Sequence, residues 1–267
     1  MRRLIAFGSK DERLIGTLDL PEAPATIGVL IVSGGNEVRA GAHRGMALLA
    51  AELAEDGLAV LRFDRAGVGD STGENRGFEG SKHDIFKAAL VLGDETGVEL
   101  ILGLGNCDAA SAMALFGRDL GIDAAIFANP WLGAEPDTLP PPAAIRARYA
   151  QKIADPASWR RLLTGGVDLR KLAGGVAKIL RPQTKRDMRT RVVDGIADWG
   201  TDATVVLASG DATAIAFRDA ARRHRLRTYD IDTASHSFAG ETNRQQLRRI
   251  VVQTAEHLRA RVDTLTT

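Results

Sequence analysis

The chain has 267 residues, 45% of them hydrophobic, so it can bury the core of one large domain or of two small ones. The 35 basic residues almost balance the 34 acidic ones, and this net charge of +1 argues against nucleic acid or an anionic membrane as the partner. A single cysteine excludes an internal disulfide bond, and neither a signal-peptide core nor a long apolar span is found. We therefore expect a cytoplasmic domain that acts on a small molecule, with no stable membrane insertion and with a homo-oligomer left open.

Short apolar segments rich in Val, Ile and Leu alternate with helical patterns along most of the chain. They predict eight strands, at residues 4–8, 13–21, 26–34, 58–64, 99–105, 124–130, 203–209 and 226–232. The first two form the pattern of an antiparallel pair. Helical patterns such as 43–57 and 82–97, each ending in a glycine, connect later strands. This order predicts an α/β fold with a mostly parallel eight-stranded sheet flanked by helices.

The alternation of strands and helices stops between residues 133 and 200, where only short helical patterns are found. This segment carries 13 Lys and Arg against 7 Asp and Glu, a net charge of +6. One interpretation is a solvated helical insertion whose charges keep it soluble. The other, which the summed charge favours, is a lid over a site for an anionic substrate. The predicted organisation is a core at 1–132 and 201–267 with a helical lid at 133–200.

The only cysteine, Cys107, lies between a predicted strand and a predicted helix, in the segment GLGNCDAA. Gly105 and Ala109 flank it by two residues on each side. This spacing is typical of a nucleophile elbow, a strained turn whose small neighbours let strand and helix approach each other. The backbone N–H of Asp108 would then point at a developing oxyanion. Because a free cysteine is more often buried and inert, this interpretation depends on finding an acid and a base.

An acid and a base follow in the chain order of the α/β-hydrolases, which is nucleophile, acid, base. The predicted strand 203–209 is followed by Gly210 and Asp211, and His236 lies in the polar loop after the last predicted strand. Parallel strands gather such positions at one edge of a sheet. These two residues are therefore the candidate acid and base of a triad with Cys107.

Four other histidines compete with His236 for the role of base. Two of them, His224 and His257, lie in arginine-rich helical patterns, where a solvated face is the better interpretation, and His83 is interpreted as part of the first turn of a helix. His43 follows the third predicted strand and could border the same cleft, together with its neighbour Arg44. Chain order and the small residues around it favour His236.

A second oxyanion donor is expected after the third predicted strand, which ends in two consecutive glycines. Glycines leave backbone N–H groups accessible to a ligand, so we predict the N–H of Gly35 as the donor, with Asn36 as an alternative. The turn after the next strand, residues 64–71, has the spacing of a segment that supports the elbow. We predict a structural role for that turn.

Six segments together resemble the α/β-hydrolase family called exosortase A system-associated hydrolase 1. They are GGNEVRAGAHR, VLRFDRAGVGDSTGEN, GLGNCDAASA, NPW, SWRRLLTGGV and IDTASHSF. The resemblance implies Cys107 as nucleophile, Asp211 as acid and His236 as base, in bacteria that carry an exosortase beside exopolysaccharide genes. The segment before Asp211 is one residue shorter than the family pattern, which leaves Asp230 and Asp232 as alternatives for the acid.

The predicted reaction is hydrolysis of an ester or thioester through a covalent acyl-enzyme. An acyltransferase of the same architecture is one alternative. A catalytically silent fold that binds a ligand or scaffolds another protein is a second, because a fold does not guarantee its chemistry. No two histidines stand at metal-ligand spacing, so we expect neither a metal nor another cofactor.

Overall fold

All eight predicted strands are present and form one sheet. The computed structural model describes residues 1–9, 12–133 and 187–265. The strands are β1 (Arg2–Gly8), β2 (Arg13–Asp19), β3 (Ile27–Val32), β4 (Ala59–Phe63), β5 (Leu100–Asn106), β6 (Ala124–Ala128), β7 (Ala203–Ala208) and β8 (Thr228–Ile231). Their bounds differ from the predicted ones by a few residues at most. For β3, β4, β6 and β7 the apolar run that predicts the strand is buried along its whole length, whereas β1 and β8 at the two edges of the sheet are mostly exposed.

The sheet has the strand order β1-β2-β4-β3-β5-β6-β7-β8. The β1–β2 and β2–β4 pairs are antiparallel, and all other neighbours are parallel. Chain direction therefore brings the carboxyl ends of β3 to β8 to one edge. The loops that leave this edge carry the predicted site residues, so the topology alone gathers them from distant parts of the sequence.

Seven α-helices flank the sheet in the described residues. They are α1 (Gly45–Glu55), α2 (Gly77–Gly80), α3 (Lys82–Thr96), α4 (Asp108–Phe116), α5 (Met188–Asp198), α6 (Ala212–Ala221) and α7 (Glu241–Leu265). Short 3-10 helices occur at Ala42–Arg44, Gly117–Leu120 and Gly200–Asp202. Of the helices in this part of the chain, none is apolar enough over the length needed to cross a bilayer.

Two apolar layers cover the two faces of the sheet. The strand β3 is buried along its whole length, and its side chains alternate between the layers. Leu30 and Val32 pack in the layer that includes residues of α3, α4, α5 and α6, whereas Val29 and Ile31 pack in the layer that includes residues of α1 and α7. A strand covered on both faces is continuous in its hydrophobicity, as the sequence of β3 is.

Most of the predicted lid, residues 134–186, lies outside the described residues. The end of the predicted lid forms α5 (Met188–Asp198), whose Val192, Val193 and Ile196 are buried in the core. Trp199 follows it and packs edge-on against Phe127 of β6, with ring centroids 5.6 Å apart. The last part of the predicted insertion thus contributes to the core, and the domain division stays a prediction.

Candidate active site

Cys107 occupies the turn between β5 and α4. Its backbone has φ 60° and ψ −125°, a conformation that residues other than glycine rarely adopt. The close approach of strand and helix explains the small neighbour at Gly105, where an added Cβ would lie 2.8 Å from the backbone nitrogen of Ala110. Two backbone hydrogen bonds hold the turn, because Cys107 N–H donates to Ala128 O (3.0 Å) and its carbonyl accepts from Trp131 N–H (3.1 Å).

The imidazole of His236 connects two predicted partners. Its Nδ1 lies 3.1 Å from Oδ2 of Asp211, and the side chain also forms a hydrogen bond with Cys107. The hydrogen bond with Asp211, followed by the one with Cys107, raises the pKa of His236 from 6.5 to about 10, although burial opposes the rise. The imidazole is therefore positively charged at neutral pH.

Asp211 combines two roles at the end of β7. Burial raises the pKa of its carboxyl group, but hydrogen bonds from His236 and from the amides of Ala214 and Thr213 outweigh burial and lower it. The same Oδ2 accepts the Ala214 amide at 3.0 Å and so caps α6. Helix α6 thereby fixes the carboxylate that faces the imidazole.

The two alternative acids have other partners. Asp230 forms an ion pair with Arg218, and Oδ1 of Asp232 accepts a hydrogen bond from the hydroxyl of Ser209 at 3.2 Å. Among the described residues, the carboxylate that contacts His236 is that of Asp211. The geometry therefore favours Asp211 among the three predicted candidates.

The competing histidines occupy other positions in the fold. His43 and Arg44 are exposed, in the 3-10 helix Ala42–Arg44, and both have positive φ. Nε2 of His224 lies 3.8 Å from Asp194 of α5, and Nε2 of His257 lies 3.4 Å from an Nη of Arg227. His83 is an exposed residue of α3.

The predicted second oxyanion donor is already engaged. The N–H of Gly35 donates to Oδ1 of Asp108 at 2.6 Å, so the carboxylate next to the nucleophile occupies this amide. The alternative donor, Asn36, accepts a hydrogen bond from the side chain of Asn75 through its Oδ1, at 2.7 Å. The structure thus brings Gly35 and Asp108 together, but as donor and acceptor for each other.

Arg65 contacts both Gly35 and Asp108, although the sequence predicts only a structural role for the turn 64–71. Its Nη2 donates to the carbonyl of Gly35 and lies 3.6 Å from Oδ2 of Asp108. The side chain is only 6% exposed. An arginine within a turn has no sequence pattern that would reveal this contact, because the partner loop lies 30 residues away.

Asn129 connects the acid side to the base side. It follows β6, is fully buried and has φ 41°. Its Oδ1 accepts the amide of Ala208 at 2.9 Å, at the end of β7, and its Nδ2 donates to the carbonyl of His236 at 2.9 Å. One side chain thus ties the strand that leads to Asp211 to the loop that carries His236. A polar residue before a proline at a strand end is the sequence signal that could have indicated it.

Neither a family model nor a curated protein matches the sequence. Solved structures, however, match nearly the whole chain. Proline iminopeptidase from Mycobacterium smegmatis has a TM-score of 0.61 at 15% identity, over 97% of this chain and 99% of that one. XC6422 from Xanthomonas campestris, described as an α/β serine hydrolase without a lid, has a TM-score of 0.58 at 16% identity, over 96% and 94%. An esterase from Pyrococcus furiosus has a TM-score of 0.61 at 14% identity, over 96% and 91%.

The chain has the α/β-hydrolase fold. This confirms the predicted fold class, including the eight mostly parallel strands. In an α/β-hydrolase fold the nucleophile stands on the turn between a central strand and its helix. In this chain the residue there is Cys107, between β5 and α4. Within the described residues, no group of three His, Cys, Asp or Glu side chains could hold a metal ion.

Proposed function

We propose that the protein hydrolyses an ester or thioester through a covalent acyl-cysteine intermediate. The observation that carries this proposal is the hydrogen-bonded series Asp211–His236–Cys107, with the pKa of His236 raised to about 10 by its hydrogen bonds with Asp211 and Cys107. A positively charged imidazole beside the sulfur stabilises a thiolate, and the thiolate is the nucleophilic form of cysteine. The start of α4 adds its N–H groups to this stabilisation.

Acylation begins when the thiolate of Cys107 attacks the carbonyl carbon of the substrate. The carbonyl π electrons move to oxygen, and the N–H of Asp108 and that of Gly35, once free, bind the resulting oxyanion. As the oxyanion collapses, the bond to the leaving group breaks. His236 gives its proton to the departing alkoxide or thiolate, which leaves a thioester on Cys107.

Deacylation uses the neutral imidazole that acylation leaves. His236 removes a proton from water, and the oxygen attacks the thioester carbonyl. The carbon–sulfur bond then breaks, the acid product departs and the thiolate–imidazolium pair is restored. Asp211 orients the ring and stabilises its charge throughout, through the contact with Nδ1.

Three observations support a more specific proposal for the scissile bond, the charge of the substrate and the cellular context. A structural neighbour is described as an esterase, which supports an ester bond. The net charge of +6 in residues 133–200 supports an anionic substrate, whose turnover would fall as salt is added. The resemblance to the exosortase-associated family supports a role in bacteria with exosortase and exopolysaccharide systems, in the cytoplasm.

The first test is alkylation of Cys107 by iodoacetamide between pH 5 and 10. The chain has a single cysteine, so the label has a single target. We expect the wild type to react rapidly at neutral pH, and His236→Ala to react only as pH rises through the range of an ordinary thiol, about 8.5. His224→Ala is the matched control and should leave the profile unchanged.

Hydrolysis of p-nitrophenyl acetate then separates the alternatives. Turnover that depends on Cys107 supports hydrolysis, and preferential transfer to an added alcohol or amine would instead indicate an acyltransferase. An alkylation profile that is slow at every pH and is unchanged in His236→Ala would contradict the proposal and favour a catalytically silent fold.

A further inference from the structure

The oxyanion side of the site contains a carboxylate where a reacting substrate would need a donor. Oδ1 of Asp108 accepts the Gly35 N–H at 2.6 Å, and only 17% of the Asp108 side chain is exposed. This contact uses the Gly35 amide completely, because an N–H has a single proton to donate. It also places a negative charge beside the position where the reaction would create another, and like charges that close repel each other.

A second position for the same carboxylate lies next to it. Nη2 of Arg65 is 3.6 Å from Oδ2 of Asp108, which is longer than a hydrogen bond. Nη1 of Arg65 is buried and has no hydrogen-bond partner in the part of the chain that the structure describes. A guanidinium binds a carboxylate best through two parallel N–H···O bonds, and here neither of them is formed with Asp108.

We propose that Asp108 is a carboxylate switch, which blocks the Gly35 N–H in the resting site and moves onto Arg65 to free that N–H for the oxyanion. The inference rests on the proposed acyl transfer. Arg65 is then a positioning residue that acts through Asp108. Rotation of the Asp108 side chain toward Arg65 would pair the unpartnered Nη1 and neutralise the carboxylate as the oxyanion forms.

The position of Arg65 supports this role more than a purely structural one. Its Nη2 donates to the carbonyl of Gly35, the residue whose N–H must be freed. The guanidinium can therefore hold the glycine loop still while the carboxylate moves. Gly35 has φ 57°, a Cβ added there would meet nothing within 4 Å, and the residue is exposed, so a substrate oxygen could reach this loop once Asp108 leaves its amide.

The test is a double-mutant cycle on the full-length chain, with p-nitrophenyl acetate as the substrate. We expect Asp108→Ala to raise kcat about tenfold with little change in KM, since the Gly35 N–H is then free without a conformational change. Arg65→Gln should lower kcat about tenfold, because Asp108 loses its second position. In the double variant the effect of Arg65→Gln should disappear, so that kcat matches that of Asp108→Ala.

Alkylation by iodoacetamide separates this switch from damage to the elbow. Displacement of iodide occurs at a saturated carbon and forms no oxyanion, so Arg65→Gln should leave the alkylation rate of Cys107 within about twofold of the wild type. Arg65→Lys should recover part of kcat, because a lysine provides the charge without the paired N–H groups.

Three results would overturn the proposal. The first is a low kcat of Arg65→Gln that the added Asp108→Ala substitution does not restore, because Arg65 would then have a structural role. The second is a fall of kcat in Asp108→Ala, and the third is an unchanged kcat in that variant. If Arg65→Gln does not fold, the single variant Asp108→Ala still decides between the outcomes. Absence of hydrolysis in every variant, with slow alkylation of Cys107, would overturn the proposed function and the switch together.

Discussion

The two sides of the candidate site differ in whether their groups already have the contacts that the proposed acyl transfer needs. On the acid–base side, at the ends of β5, β6, β7 and β8, Asp211 and His236 already have the contacts that acyl transfer requires. On the oxyanion side, at the ends of β3 and β4, the N–H of Gly35 is bound to a carboxylate of the protein itself. Under the proposed mechanism the nucleophile is thus assembled in advance, whereas the oxyanion site that would stabilise the transition state is not.

This difference separates two kinds of reactivity at one sulfur atom. Alkylation requires only a thiolate, which the acid–base side would supply under the proposed mechanism. Hydrolysis also requires a bound oxyanion, and preorganised donors for it are often the largest contribution to catalysis. We therefore expect rapid alkylation together with slow turnover of small, unactivated esters.

The largest expected effect tests whether hydrolysis depends on Cys107 at all. Cys107→Ala removes the proposed nucleophile and should lower kcat on p-nitrophenyl acetate by roughly 10⁴-fold or more. Steady-state hydrolysis measures the loss, and thermal unfolding checks that the variant remains folded. Residual activity within tenfold of the wild type would mean that hydrolysis occurs elsewhere on the chain.

Cys107→Ser sharpens the same test, because one structural neighbour of this chain is described as a serine hydrolase. A serine hydroxyl is far less acidic than a thiol, and the hydrogen bond with Cys107 is the second-largest cause of the raised pKa of His236. We expect the serine variant to stay at least about 100-fold below the wild type in kcat. Full activity would show that the site does not depend on an ion pair.

The next effect tests the acid side. Asp211→Asn keeps a residue that caps α6 but removes the charge that faces Nδ1 of His236. Because the hydrogen bond with Asp211 is the main cause of the raised pKa of His236, that pKa should fall and kcat should drop by about 10²- to 10⁴-fold. The pH profile of Cys107 alkylation reports the first change and ester hydrolysis the second.

Matched controls come from the two alternative acids. Asp230→Asn and Asp232→Asn remove carboxylates that contact Arg218 and Ser209 instead of His236. Both variants should keep kcat within about twofold of the wild type, because surface pairs of this kind contribute little. A large loss in either one would move the acid away from Asp211.

A smaller effect tests the connection within the acid–base side. Asn129→Asp keeps an acceptor for the Ala208 amide but places a carboxylate oxygen against the carbonyl of His236. We expect kcat to fall by about tenfold or more and the free energy of unfolding by about 1–3 kcal/mol, since a buried polar group loses its partner. Urea unfolding and ester hydrolysis measure the two effects.

Val251→Ala is the control for stability alone. Its fully buried side chain lies in the apolar layer that includes residues of α1 and α7, so truncation leaves a cavity there. This variant should lose stability without losing kcat. If Asn129→Asp behaves in the same way, Asn129 stabilises the fold but does not position the acid and the base.

The sequence predicted the parts of the site that depend on local pattern. A strand is a short apolar run, and a loop at its carboxyl end is recognisable from polar and small residues, so Cys107, Asp211 and His236 could be found from strand ends and chain order. The helical patterns 43–57 and 82–97 likewise differ by one or two residues from α1 (Gly45–Glu55) and α3 (Lys82–Thr96).

Side-chain contacts across long sequence separations could not be predicted in this way. Asn129 joins residues 79 and 107 positions further along the chain, and Arg65 contacts a loop 30 positions before it. Such contacts depend on strand order and on individual side-chain conformations. The engagement of Gly35 by Asp108 is of the same kind, since a small rotation of one side chain decides whether the amide is free.

The smallest expected effect concerns stability and the charge of His236. Its pKa is raised above 6.5 to about 10, so the contribution to stability is fully present below about pH 6.5 and is lost as pH rises through about 10. Because 37% of the side chain is exposed, solvent screens the interaction and we expect about 1 kcal/mol or less. Urea unfolding of the wild type and of His236→Gln at pH 6 and at pH 10.5 measures it. The difference in the free energy of unfolding between the two proteins should be larger at pH 6. A difference that grows toward pH 10.5 would mean that the folded protein holds this histidine neutral. The acid–base side would then lack the charged imidazole that the proposed mechanism requires.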